Sequence, residues 1–220
     1  MNEQKEIARP DSSRHWIGLV EQLRSLPFDA QTGRRPVTFG PGLTDLEVFA
    51  VEKKFGFQFP PDLRSFLQTA LPLGPRFPNW RSGDELELED WLGLPRQGLR
   101  FDVEHNRFWL EEWGARPKSM DAALARLDEL LATAPKLIPI YAHRMIPAEP
   151  CEPGNPVFSV HQTDIIYYGF NLNDYLRAEF ALDREPWPVT PESIRPIRFW
   201  DLERFQSVRW GNGPVTFNNQ

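Results

Sequence analysis

The stretch that decides the fold is GNPVFSVHQTDIIYYGFNLNDYLRAEF, residues 154–180. Val157–His161 and Ile165–Tyr168 are β-branched and aromatic runs separated by three polar residues, which predicts a hairpin or two adjacent strands. Pro156 fits the first position of a strand, where no ladder donor is needed. After Gly169 the apolar spacing becomes helical behind Asn171, a residue type that caps helices. The block therefore predicts strand, turn, strand and helix, and it contains no catalytic motif.

A capping box upstream predicts a helix that begins after Thr44. The Thr44 hydroxyl is expected to accept from the Glu47 amide, while the Glu47 carboxylate accepts from the Thr44 amide. Gly56 should end this helix, because glycine adopts the left-handed conformation of a helix C-terminus at little cost. The apolar spacing predicts that this helix buries Leu46, Phe49, Ala50 and Phe55.

The remaining pattern places helices before strands. Further helices are predicted at about 13–25, from Pro61 to a stop at Pro72 to Gly74, and from Ser119 to Pro135, and a strand is predicted at 137–146. Prolines between residues 71 and 95 are expected to limit that segment to turns and one helical turn near 84–92. Because the strands cluster late, the predicted fold class is α+β: a mixed, mainly antiparallel sheet flanked by helices in a single main domain.

Changes in composition divide the chain into three predicted regions. Residues 1–42 form an N-terminal helix, whose apolar face should dock on the core, followed by a proline- and glycine-rich loop. Residues 43–182 form the core domain. Residues 183–220 form a tail rich in proline and tryptophan that packs on the core and is expected to end in a short helix.

Composition narrows the classes of function. A chain of 220 residues can bury about 70% of its unfolded surface without disulfides or metals. Cys151 is the single cysteine, which excludes an intramolecular disulfide and a multi-thiolate metal site and favours a reducing, cytoplasmic setting. No signal peptide or membrane span is indicated. The net charge of −6 argues against general nucleic-acid binding.

The negative charge is concentrated in one tryptophan-rich segment. Residues 81–112 contain nine acidic and four basic residues, and half of the eight tryptophans lie within residues 80–113. Trp80, Trp91, Trp109 and Trp113 are expected in the core because these side chains bury large areas. Closely spaced carboxylates cannot all be paired by neighbours, so they form either a solvated face or an interface for a basic partner. The predicted partner-binding residues are Asp84, Glu85, Glu87, Glu89, Asp90, Trp91, Glu111 and Glu112.

For three groups of residues, the sequence favours a structural role over a catalytic one. His143 and His161 could form a metal or acid–base group with Glu149, but metal-ligand spacing is absent. Neighbouring acids should raise the pKa of Cys151, which opposes a nucleophilic role. Asp102 and Glu104 could form a glycosidase-like pair, although solvated carboxylates are the expected outcome. We predict no catalytic residues, no metal and no cofactor.

Two regions resemble the SUKH superfamily, which includes the yeast Smi/Knr cell-wall assembly regulators and many bacterial relatives. LTDLEVFAVEKKFGFQFPPDLRSFL (43–67) is similar to the opening helix pair of that family. LIPIYAHRMIP (137–147) and GNPVFSVHQTDIIYYG (154–169) are similar to the sheet-forming half of its bacterial members. The resemblance covers residues 43–180 in order. Many members carry an Asn-Gly turn after the helix pair, where this chain has residues 68–72, QTALP.

The resemblance implies a non-catalytic binding protein, and in bacteria an immunity protein that neutralises a toxin. A nuclease toxin is basic because it must contact phosphates, so it would match the acidic segment. Two other functions stay open: a regulatory adaptor of the Smi/Knr type and an unrecognised hydrolase. The predicted partner is thus a protein, with a basic toxin domain as the favoured candidate, and neither nucleic acid nor membrane. The oligomeric state is undetermined.

Overall fold

Local signals fix the ends of several helices, as predicted. The computed structural model describes residues 12–30, 35–81, 85–182 and 194–200. The Thr44 hydroxyl accepts from the Glu47 amide and the Glu47 carboxylate accepts from the Thr44 amide, which confirms the capping box. Gly56 adopts φ 65° and ψ 45° and ends this helix in the left-handed conformation. Ser119 and Asn171 cap two later helices with their side chains.

Six helices and six strands are found in the described residues. The helices are α1 (Ser12–Arg24), α2 (Asp45–Phe55), α3 (Pro61–Thr69), α4 (Glu85–His105), α5 (Met120–Thr133) and α6 (Leu172–Glu179). The strands are β1 (Thr38–Pro41), β2 (Ala70–Leu73), β3 (Leu137–Tyr141), β4 (Arg144–Pro147), β5 (Val157–His161) and β6 (Asp164–Gly169). A 3₁₀ turn, Glu111–Trp113, lies between α4 and α5.

The strands form two antiparallel sheets, and the predicted α+β class is confirmed. β1 pairs with β2, and the second sheet has the order β3-β4-β5-β6. The predicted hairpin is β5 and β6, which meet at a turn containing Gln162 at φ 56°. The single strand predicted at 137–146 is instead the β3–β4 hairpin, because Ala142 reverses the chain at φ 47°.

Alternating residues of the four-stranded sheet face two separate apolar cores. Ile138, Ile146 and Val157 face a core shared with α1, α2, α3 and α6. Their neighbours Leu137, Met145 and Phe158 face a core shared with α4 and α5. Period-two alternation therefore places helices on both faces of the sheet. The apolar face of α1 is buried in the first core, and its buried residues are Trp16, Leu19, Val20 and Leu23.

The prediction for residues 71–95 is correct for a helical start near residues 84–92 but wrong for the extent of that helix. Within the described residues β2 is the short element there, and α4 extends over 21 residues with Pro95 inside it. Proline removes one backbone hydrogen bond, but Pro95 lies on the buried side with Leu88, Leu99 and Val103. Burial of that side of α4 offsets the free-energy cost of the missing hydrogen bond. β1 likewise replaces part of the loop predicted before Gly42, and β2 begins at Ala70, where α3 was expected to continue.

The buried face of α2 also differs from the prediction. Val48 and Val51 are buried and Phe55 is half-buried, whereas Leu46 is 81% exposed and Phe49 is 62% exposed. Ala50 is exposed as well. The helix carries apolar residues around most of its circumference, so spacing alone does not select the packed face.

Residues near the C-terminus pack on the second core. Ile197 and Trp200 are buried there, and the Trp200 indole donates to the Pro135 carbonyl at 2.7 Å. Residues 194–200 contain no helix. The rest of the short helix predicted for the tail lies outside the described residues.

Candidate functional site

The first acidic cluster of the predicted segment lies at the start of a helix, α4, and its described carboxylates are exposed. Glu85, Glu87, Glu89 and Asp90 occupy the start of α4 and are exposed. Glu85 forms an ion pair with Lys54 of α2 at 3.0 Å. Glu87, Glu89 and Asp90 form no ion pair or hydrogen bond through their side chains with the described part of the chain. We call Glu85, Glu87, Glu89 and Asp90 the acidic patch; Asp84 lies outside the described residues.

The other acidic residues of the predicted site lie elsewhere. Glu111 and Glu112 are exposed but follow the opposite end of α4, and a helix of this length spans about 30 Å. Arg116 donates to the Val103 carbonyl at 2.7 Å, which holds the chain after the 3₁₀ turn beside the C-terminal half of α4. The structure therefore divides the acidic segment between the two ends of one helix.

Only part of the tryptophan prediction is confirmed. Trp80 and Trp113 are buried, whereas Trp91 and Trp109 are half-buried. Trp91 follows Asp90 directly and is partly accessible beside the acidic patch. Aromatic side chains are enriched at protein interfaces, which are surrounded by a polar rim.

Two ion pairs on one side of α2 hold the start of α4. Arg81 pairs with Glu47 near the first turn of α2, and Lys54 of its last turn pairs with Glu85. Arg81 also donates to the carbonyls of Pro41 and Gly42 at 2.9 and 2.7 Å. The segment leading to the acidic patch is thus tied to α2 at both of its ends.

The carboxylates proposed as a glycosidase-like pair have different environments. Asp102 is buried and accepts from the Thr163 amide, the Thr163 hydroxyl and the Asn106 side chain. The expectation that Asp102 is solvated is therefore wrong. Glu104 is exposed, as expected. A carboxylate with its acceptor sites occupied by protein donors serves to join α4 to the β5–β6 turn.

The histidines and the cysteine occupy surface positions. His143 and His161 are exposed at the ends of the two hairpins, and Glu149 pairs with Arg198. In the described residues no three His, Cys, Asp or Glu side chains are grouped in a way that could hold a metal ion. Partial burial raises the pKa of Cys151, and Glu52 raises it further, so the predicted direction is confirmed with a different main cause.

A buried polar cluster under α6 was not predicted. The guanidinium carbon of Arg144 lies 3.6 Å from the centroid of the Tyr168 ring, and the guanidinium donates to the Ser159 hydroxyl at 2.7 Å. Its guanidinium lies 3.6 Å from the Glu179 carboxylate, and both side chains are largely buried, at 12% and 18% exposed. Burial raises the pKa of Glu179, although Arg144 opposes the effect. Burial also raises the pKa of Tyr175 well above its ordinary value. The strand pattern could have identified the exception, because Arg144 begins a strand that is otherwise apolar.

Two open clefts accompany these features. One of about 560 Å³ lies between α2, α4 and α5 and has mainly apolar walls that include Phe55, Leu92 and Trp200. The other, of about 760 Å³, is lined by Arg76, Tyr141 and Phe180 among others. Glu179 is the one carboxylate among the described residues that line the second cleft. The pair of convergent carboxylates that glycoside hydrolysis requires is therefore not assembled in the described part of that cleft.

Comparisons with known proteins add no assignment. No family model, curated protein or solved structure matches this chain. Among the described helices, none combines the length and apolarity needed to cross a membrane.

Proposed function

We propose that this protein is a non-catalytic binding protein that inhibits a basic protein partner by covering its active surface. The observation that carries the proposal is the exposure on one helix of Glu87, Glu89 and Asp90, which form no ion pair with the described residues. Such a surface attracts a basic partner and raises its association rate by about 10- to 1,000-fold at low salt. The binding energy itself is expected from a few apolar or aromatic anchors.

The partner class that fits best is a nuclease-type toxin, with this protein as its cytoplasmic immunity factor. A toxin that binds phosphates must be basic, so the surface that contacts nucleic acid is also the surface that an acidic inhibitor can cover. The resemblance of residues 43–180 to bacterial SUKH proteins supports the same reading. A regulatory adaptor would use the same surface but would bind a protein of the host cell.

The test is binding and protection in the presence of a candidate toxin taken from the genes beside this one. Co-expression should rescue growth, and the purified pair should associate with a rate that falls steeply as salt rises. Replacing Glu87, Glu89 and Asp90 with Gln, Gln and Asn should lower the association rate at least about tenfold and flatten its salt dependence.

A matched control removes three exposed carboxylates elsewhere, at Glu21, Asp121 and Asp164. This control should keep the wild-type rate and salt dependence. A pair that neither binds nor protects cells would exclude immunity, and recovery of host proteins alone from a pull-down would favour the adaptor. A second comparison uses the double variant Glu111→Gln with Glu112→Gln. Its association rate decides whether the far end of α4 takes part in binding the partner.

A further inference from the structure

The outer face of α4 carries a line of exposed apolar side chains. At 100° per residue, Leu86, Asp90, Leu94, Gln97 and Phe101 fall within about 80° of the helix circumference. Leu86 is 67% exposed, Leu94 is 42% exposed and Phe101 is 42% exposed. We call these five residues the α4 ridge. Single exposed apolar residues are common on protein surfaces, but these three are aligned along one helix face, with the polar Asp90 and Gln97 between them.

The α4 ridge is distinct from the face by which α4 packs on the protein. Leu88, Leu99 and Val103 are buried on the opposite side of the helix. Arg96 and Arg100 lie along one edge and are bound to Asp128 of α5 at 2.7–3.0 Å. The helix is therefore fixed on its inner side and at one edge, and the ridge is held outward on a rigid support.

On the ridge side of α4, the charged side chains that have no arginine or lysine partner are acidic, whereas Arg96 and Arg100 at the edge are paired with Asp128. Glu87, Asp90 and Glu104 are exposed on the same side of α4, and no lysine or arginine of the helix falls there. His105 stacks on the Phe101 ring, with centroids 4.4 Å apart. A second copy of this chain would bring the same carboxylates opposite each other, and like charges at close range oppose association. The charge pattern therefore selects a basic partner over self-association.

The spacing of the ridge selects the shape of the partner. Leu86, Leu94 and Phe101 recur at intervals of eight and seven residues, or two helical turns. A helix with apolar residues at the same interval can keep contact along the whole ridge, as in helix pairs that pack side by side. We propose that the α4 ridge is the docking surface for a basic amphipathic helix of the protein partner. This inference rests on the proposed function and specifies the structural element that is bound.

The experiment uses the full chain and two synthetic peptides of 18 residues built from Lys and Leu. One peptide places Leu at helical spacing, and the other has the same composition in scrambled order. Fluorescence anisotropy should show the amphipathic peptide binding at least about tenfold more tightly. Equal binding of the two peptides would show charge attraction without docking and would overturn the inference.

The ridge variant Leu94→Ser with Phe101→Ser should weaken binding of the amphipathic peptide at least about tenfold and leave its salt dependence unchanged. The matched control is Leu46→Ser with Phe49→Ser on α2, which removes the same two residue types at positions that are even more exposed and should have no effect. Equal losses in both variants would overturn the inference, because they would show unspecific apolar contact. Circular dichroism and thermal melts verify that each variant is folded.

The variants also distinguish failure of this inference from failure of the proposed function. Should neutralising Glu87, Glu89 and Asp90 slow association while the ridge variant binds normally, the acidic patch stands and the ridge is excluded. If neither the acidic-patch substitutions nor the ridge substitutions change binding, both proposals fail. A wild-type dimer in light scattering that the ridge variant abolishes would identify a second copy as the occupant and would also overturn the inference.

Discussion

Asp102 of α4 accepts two hydrogen bonds from Thr163, one from the backbone amide at 2.9 Å and one from the hydroxyl at 2.6 Å. Both residues are buried, and Thr163 lies in the turn between β5 and β6. A carboxylate that joins a helix to a hairpin 61 residues later fixes the position of α4 on the sheet. The surface carried by the outer side of α4 depends on that attachment.

Removing the buried carboxylate should therefore destabilise the protein strongly. We expect Asp102→Ala to lower the free energy of unfolding by about 3 kcal/mol, because two donors of Thr163 lose their charged acceptor in the core. Glu104→Ala, two residues away and exposed, should change it by less than about 0.5 kcal/mol. Urea unfolding at neutral pH measures both. Similar effects at the two positions would contradict a structural role for Asp102.

Replacing glycine with alanine at two positions inside helices should change the stability of the protein in opposite directions. A Cβ on Gly98 of α4 would lie 2.6 Å from the Cα of Gln162, whereas a Cβ on Gly18 of α1 meets no atom within 4 Å. Gly18→Ala should stabilise by about 0.5–1 kcal/mol through helix propensity, while Gly98→Ala should destabilise by about 1–3 kcal/mol through the backbone clash. Chemical denaturation compares them. Stabilisation by both would show that α4 does not approach the turn this closely.

Glu47 should make stability depend on pH in the acidic range. Hydrogen bonds from Arg81, and then from the Thr44 amide and hydroxyl, lower the pKa of Glu47 from 4.5 to about 2. A folded-state pKa below the unfolded value means that the unfolded chain binds more protons between these limits. The contribution of Glu47 is therefore complete above pH 4.5 and is lost as pH falls towards 2.

Comparison with Glu47→Gln isolates this contribution, because the other titrating groups are common to both proteins. The wild type should be more stable than the variant at pH 7, and the difference should shrink progressively below about pH 4.5, near the ordinary glutamate pKa. Urea midpoints from pH 2.5 to 7 give the measurement. A difference that is constant across this range would refute the assignment.

Arg144 and Glu179 should be energetically coupled. Replacing Arg144 alone with Met leaves the carboxylate without its largely buried partner, and we expect a loss of about 3 kcal/mol. Replacing both residues, with Met and Leu, should cost less than the two single changes added together, by at least about 1 kcal/mol. A double-mutant cycle from urea unfolding provides the test. Additive losses would mean that the pair does not interact across its 3.6 Å separation.

Short-range signals were sufficient for many boundaries but not for the candidate site. The capping box at Thr44, the stop at Gly56 and the hairpin of Val157 to Tyr168 each depend on neighbouring residues, and each was predictable. The acidic patch was identified from composition, whereas the α4 ridge was not. Its spacing is visible only when residues 85–105 are known to form one helix, and the prolines nearby predicted an irregular segment.

The orientation of α2 likewise could not be predicted from short-range signals. Its apolar residues lie around most of the helix, so the sequence pattern placed Leu46 and Phe49 inside, where the structure has Val48 and Val51. Ion pairs with Arg64, Arg81 and Glu85, which lie on other segments, accompany the observed orientation. Contacts between distant segments cannot be read from local periodicity.

The amino-acid sequence by itself determined the α+β class, the helix caps, the β5–β6 hairpin and the concentration of carboxylates at residues 85–90. These features follow from interactions within a few residues, or from composition alone. Only the tertiary structure decided that α4 continues through Pro95, that Asp102 is buried and that Leu94 and Phe101 face outward. Each of these depends on packing against the sheet, where burial of one helix face outweighs the local cost of a proline or a desolvated carboxylate.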